Sequence, residues 1–92
     1  MRLENKVAVV VGGGQSPGQG VGNGRAAAML YAREGAKVLV VDRAMASADE
    51  TVQEIRNEGG TAEPFQADVT VESDLMAMVQ DAVKRWGGLH VL

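Results

Sequence analysis

Short strand-like stretches divide the chain, and between them the apolar residues recur at helical spacing. The run over 6–11 is continuous and β-branched, the pattern of a strand buried on both faces. Residues 23–34 then read as a helix, with Ala27, Leu30 and Tyr31 facing inward. The small side chains of Ala26, Ala27 and Ala28 allow that helix to lie close to a sheet. Gly35 predicts its end, because glycine accepts the left-handed conformation cheaply. A second buried run follows over 37–41.

Ser47 and Glu50 have the spacing of a capping box, which predicts a helix opening there. Its inner stripe is Ala48, Val52 and Ile55, and Gly59 is its stop. Residues 61–67 form a weaker third strand. Pro64 assigns it to a sheet edge, since proline cannot donate to a ladder. Thr70 is the expected cap of a third helix, with Glu72 and Asp74 favoured at its positive end. Leu75, Val79, Ala82, Val83 and Trp86 make its apolar stripe, and Gly87 closes it. Met76 and Met78 are expected at the gaps or edges of its packing. Residues 89–92 begin a fourth strand.

The series is therefore βαβαβαβ in a single domain, 1–92. Right-handed crossovers turn it into a doubly wound α/β fold, a parallel sheet covered on both faces. The expected strand order is 3-2-1-4, with Pro64 at the outer edge. Strands one and four would then flank the switch point where such sheets bind ligands.

Between the first strand and the first helix, Gly12, Gly13, Gly14, Gly18, Gly20, Gly22 and Gly24 crowd into one loop. A glycine loop running from a buried strand into a helix N-terminus is an anion site. Unpaired amides and the helix dipole hold phosphate there without a cationic side chain. Asp42 ends the next strand, where a carboxylate can accept hydrogen bonds from a ribose diol. The loop does not suit a nucleoside-triphosphatase, which needs Lys-Ser or Lys-Thr after its last glycine. Here Arg25-Ala26 follows Gly24.

Composition narrows the remaining possibilities. The net charge is −3 and no cluster of Lys and Arg stands out, which argues against nucleic acid or an anionic membrane as main partner. With no cysteine, disulfides and thiolate metal sites are excluded. No apolar run approaches the roughly 20 residues of a membrane span, and the first six residues lack the apolar core of a signal peptide. A cytoplasmic location is the default expectation. His90, the one histidine, reads as structural, and no metal site is expected.

From about Leu3 to Leu92 the chain resembles the N-terminal half of the short-chain dehydrogenase/reductase family. The family's opening Thr-Gly-x-x-x-Gly-x-Gly is matched by Val11-Gly12 and a later Gly-x-Gly. Gly22-Asn23-Gly24 fits that pair best, and Gly20-Val21-Gly22 is the alternative. The loop is longer than the family's usual one, and Val11 replaces its threonine.

The resemblance implies a partial Rossmann-type fold with Gly12, Gly20, Gly22, Asn23 and Gly24 around the diphosphate. It implies Asp42 at the adenosine ribose, which favours NAD over NADP by repelling a 2′-phosphate. Arg43 could pair with that phosphate, but Asp42 comes first. Asp68 and Val69 would hold adenine, although Asp68 alone reads equally well as a residue leading into a helix.

The implied reaction is hydride transfer between nicotinamide and a small alcohol or carbonyl substrate. The family's Asn-Asn-Ala-Gly and Ser…Tyr-x-x-x-Lys motifs do not occur in this chain. Its one tyrosine, Tyr31, is followed by Gly35 four residues on. We therefore expect a cofactor-binding fragment with no catalytic residues, inactive alone and prone to aggregate through an open sheet edge. The full-length protein would be a homo-oligomer. A non-catalytic NAD-sensing module and an S-adenosylmethionine-dependent methyltransferase are the alternatives.

Overall fold

The computed structural model describes residues 3–12, 23–68 and 70–88. Six elements alternate along it: β1 (Val7–Val11), α1 (Asn23–Arg33), β2 (Lys37–Asp42), α2 (Met45–Asn57), β3 (Thr61–Gln66) and α3 (Glu72–Trp86). The strands form a three-stranded parallel sheet in the order β1-β2-β3. Val7 to Val11 pair with Lys37 to Val41, and Lys37 to Asp42 pair with Thr61 to Gln66. Pro64 thus lies on an edge strand of this sheet, as its missing amide requires. The fourth strand expected at 89–92, and His90 with it, lie outside the described residues.

Strand alternation divides the core into two layers. Ala8, Val10, Val38, Val40 and Ala62 point to one face and meet Ala28 and Ala32 of α1 and Ala48, Val52 and Ile55 of α2. Val7, Val9, Leu39 and Val41 point to the other and meet Met78 and Ala82 of α3. Both faces of β2 are covered, so between Val38 and Val41 the central strand carries no polar residue. Each fully buried Leu, Ile or Val contributes roughly 1.5–3 kcal/mol relative to exposure.

The orientation of two helices corrects the expectation from sequence. In α1 the inward residues are Ala28 and Ala32, one turn apart, while Leu30 on the opposite side is 56% exposed. Ala27 and Tyr31 are half-buried, flanking that face. Both inward side chains of α1 are thus single methyl groups, packed with the valines of β1 and β2. In α3 the centre of the contact is Met78, fully buried, with Ala82 one turn later. Val79 and Trp86 pack beside them, but Leu75 and Val83 remain 40% and 47% exposed. The apolar arc of α3 is wider than the strip of sheet it covers.

The glycine stops stand where expected: Gly35, Gly59 and Gly87 all have positive φ. Gly60 has a different role. A Cβ there would lie 2.7 Å from Ile55 Cγ2 and 3.3 Å from Ala32 Cβ, so α1, α2 and the start of β3 meet at a point that admits no side chain.

The expected helix caps do not form. Helix α2 begins at Met45, two residues before Ser47, and its N-cap Ala44 makes no side-chain cap bond. The cause is Asp42, whose Oδ1 accepts the Ala44 amide at 2.9 Å and turns the chain into the helix early. Ser47 instead sits in the first turn, its amide donating to the Ala44 carbonyl at 3.1 Å. Helix α3 has Val71 as N-cap, not Thr70. Its first turn carries Glu72 and Asp74 and its last turn Lys84 and Arg85, both favourable to the helix dipole.

Candidate functional site

Parallel strands joined by helices bring all three strand C-termini to one edge, together with the N-termini of the returning helices. Gly12, Asp42 and Asp68 therefore share that edge although they are far apart in sequence. Gly12 leaves β1 with φ +71°, and its amide donates to the Val41 carbonyl at 2.7 Å. This bond extends the β1–β2 ladder one step past Val11. Among the described residues, an ideal Cβ at Gly12 would meet nothing within 4 Å.

Asp42 ends β2 and is 8% exposed. Its carbonyl accepts the Ala67 amide at 3.1 Å, which pins the end of β3 to the end of β2. Its carboxylate faces its own turn, with Oδ1 on the Ala44 amide. Arg43, the next residue, is exposed and its carbonyl accepts from Gln66 Nε2 at 3.1 Å.

Beside these strand ends lies an open cleft of about 410 Å³, lined by Arg43, Gln66, Ala67, Asp68 and Asp74. Asp42 meets it through its main chain, by the bond to Ala67, and is not one of these lining residues. Asp68 is held on both sides. Its amide donates to Asp74 Oδ2 at 3.0 Å. Its Oδ1 accepts the Thr70 amide at 3.0 Å and the Thr70 hydroxyl at 2.6 Å. Thr70 thus fixes Asp68, and it stands one residue before Val71, the N-cap of α3. The hydroxyl of Thr70 and then its amide hold the Asp68 carboxyl below its ordinary value; desolvation opposes them by less, and the Arg43 charge adds the smallest lowering effect. A carboxylate so held stays ionised and fixed in orientation.

Among the residues singled out from sequence, Gly12, Asp42, Arg43 and Asp68 lie along this one edge. Gly24 lies in the first turn of α1, and Asn23 is that helix's first residue. Gly20, Gly22 and Val69 lie outside the described residues. The sequence reading missed Gln66 and the positioning role of Asp74. Asp74 stood out only as an acid in a helix's first turn, and nothing local distinguishes it from Glu72.

The fold fits a dinucleotide by the chemistry of its groups. Strand-end carboxylates supply acceptors for hydroxyl and amine donors, and the first four amides of a helix lack intrahelical partners and can receive phosphate. Among the described residues no group of three His, Cys, Asp or Glu could hold a metal ion, and no helix is long and apolar enough to cross a membrane.

Comparison with known proteins agrees with this arrangement. A family model described as short chain dehydrogenase matches residues 6–92. The short-chain dehydrogenase/reductase homolog YusS of Bacillus subtilis is 41% identical over 93 residues, covering 100% of this chain and 80% of YusS. The uncharacterized oxidoreductase YxbG of the same organism is 37% identical over 91 residues, covering 99% of this chain and 31% of YxbG. The crystal structure of a hydroxysteroid dehydrogenase from Escherichia coli superimposes with a TM-score of 0.88 at 32% identity, covering 99% of this chain and 36% of that one. The chain thus spans most of YusS but only about a third of the other two.

Proposed function

Because the chain belongs to the short-chain dehydrogenase family, we propose that residues 1–92 form the NAD-binding half-domain of an NAD-dependent oxidoreductase. The diphosphate rests on the N-terminal amides of α1, with Gly20, Gly22, Asn23 and Gly24 allowing close backbone approach. Gly12 adds no side chain of its own at the floor of that pocket. Asp42 accepts hydrogen bonds from the adenosine ribose diol, and its charge disfavours a 2′-phosphate. Asp68 receives the adenine amine, and Val69 meets the ring through its amide.

The observation that carries this reading is the meeting of Gly12 and Asp42 at adjacent strand ends, locked by the Gly12 amide on the Val41 carbonyl. When bound, the nicotinamide gives or takes a hydride from an alcohol or carbonyl carbon. The residues of this chain bind and orient it. They supply no proton relay, since the one tyrosine, Tyr31, is half-buried in α1 against the core. The ninety-two residues alone therefore give negligible turnover, and in a longer protein the substrate is chosen by residues outside them.

Parallel titration of the chain with NADH, NADPH and S-adenosylmethionine tests the assignment. NADH is expected to bind tightest and S-adenosylmethionine not at all. Equal or tighter binding of NADPH removes the NAD preference, and binding of S-adenosylmethionine alone removes the dehydrogenase reading.

A further inference from the structure

Arg25 lies in the first turn of α1, beside the amides assigned to the diphosphate, yet its side chain leaves that end and crosses to α2. Its Nε donates to Thr51 Oγ1 at 3.0 Å and its NH2 to Glu50 Oε1 at 2.8 Å, while NH1 lies 3.7 Å from Glu54. The guanidinium side chain is 17% exposed, and Thr51 is fully buried. The contrast with Arg33 at the other end of α1 is instructive. Arg33 also pairs with α2, through its C-cap Glu58, but its side chain is 59% exposed and solvent screens the pair. Of these two bridges between α1 and α2, only that of Arg25 engages a buried α2 residue.

Helix α2 is itself tied to Asp42 at its start, through the Ala44 amide. A continuous path therefore runs from Asp42 through α2 and Arg25 to the amide end of α1. We propose that Arg25 is a positioning residue that sets the spacing between the diphosphate end and the ribose end of the cofactor site. It acts through α2 and does not touch the ligand. The planar fork of arginine is needed to reach a hydroxyl and two carboxylates at once, and a lysine cannot do this. The inference rests on the cofactor reading above.

The test compares two ligands on the full chain: NADH, which needs both ends, and adenosine, which lacks the diphosphate. Three variants are measured: Arg25→Ala, Arg25→Lys and the α2-side double variant Glu50→Gln with Thr51→Val. All three are expected to weaken NADH roughly fivefold or more while leaving adenosine affinity within about twofold, the scale of coupling between separated sites. Parallel loss of both ligands would mean a merely structural role and overturns the proposal, as does unchanged NADH affinity. Loss on removing Arg25 but not in the double variant would make Arg25 a direct phosphate ligand, which also overturns it. Failure of the parent chain to bind NADH or adenosine is a separate result that counts against the cofactor site itself.

Discussion

Asp42 holds the amide of Ala44 through Oδ1 at 2.9 Å, so the carboxylate assigned to the ribose also starts the helix that follows it. The two roles separate by substitution. Asp42→Asn keeps an oxygen for the Ala44 amide and removes the charge, whereas Asp42→Ala removes both. The asparagine variant is therefore expected to melt close to the parent while binding NADH more weakly and NADPH relatively better. The alanine variant should in addition lose about 0.5–2 kcal/mol of stability, the usual cost of a lost helix-start acceptor. Melting curves and paired NADH and NADPH titrations distinguish the two.

The Thr70 hydroxyl and amide hold the Asp68 carboxyl below its ordinary value of 3.8. A carboxyl depressed by folding contributes stability that is present above its ordinary value and is lost as pH falls through the depressed one. Thr70→Val removes the hydroxyl, the larger of the two Thr70 effects. The Asp68 titration, followed by carboxyl carbon chemical shifts, is expected to move upward in that variant. An unmoved midpoint would show that Thr70 does not control the charge.

Gly60 and Gly12 are expected to resist alanine for different reasons. At Gly60 the new methyl would enter the space of Ile55 Cγ2 at 2.7 Å, and Ile55 is itself buried. Overpacking of this kind costs roughly 1–3 kcal/mol, which at this chain length lowers the melting midpoint by about 4–8 °C per kcal/mol. At Gly12 the methyl meets none of the described residues, and the cost among them is the positive φ. Gly12→Ala should thus be the milder change in stability and the larger one in NADH affinity, because the methyl stands above the proposed pocket floor. Thermal melts and NADH titrations of the two variants check both orders.

Met78 and Met76 test the orientation of α3. Met78 is fully buried and Met76 is 55% exposed. Met78→Ala is expected to cost about 2–5 kcal/mol through the cavity it leaves, and Met76→Ala no more than about 0.5 kcal/mol. Chemical denaturation of both variants checks the difference, and equal losses would mean that the helix is rotated from the described position.

The order of elements was legible in the sequence because strand and helix periodicity, glycine stops and strand-end acids are local signals. Val7 to Val11 and Lys37 to Val41 pair in register, and Gly35, Gly59 and Gly87 take the left-handed conformation that their positions at helix ends require. The candidate site was legible to the extent that Gly12, Asp42 and Asp68 each stand at or just past a strand end, and parallel strands must finish at one edge.

The tertiary structure alone decided which side of each helix turns inward and which polar group serves which partner. Leu30 and Leu75 look like core residues by apolarity, but Ala28 and Met78 fill the contact because the rotation of each helix against the sheet, not hydropathy, decides which side is buried. Thr70 looks like a cap by its place before an acidic first turn, yet the helix starts one residue later and Thr70 donates to Asp68, while the partner of Arg25, Thr51, comes from 26 residues away. Spacing along the chain determines the bonds a segment makes with itself. Bonds between segments exist only once packing has set how far apart they lie.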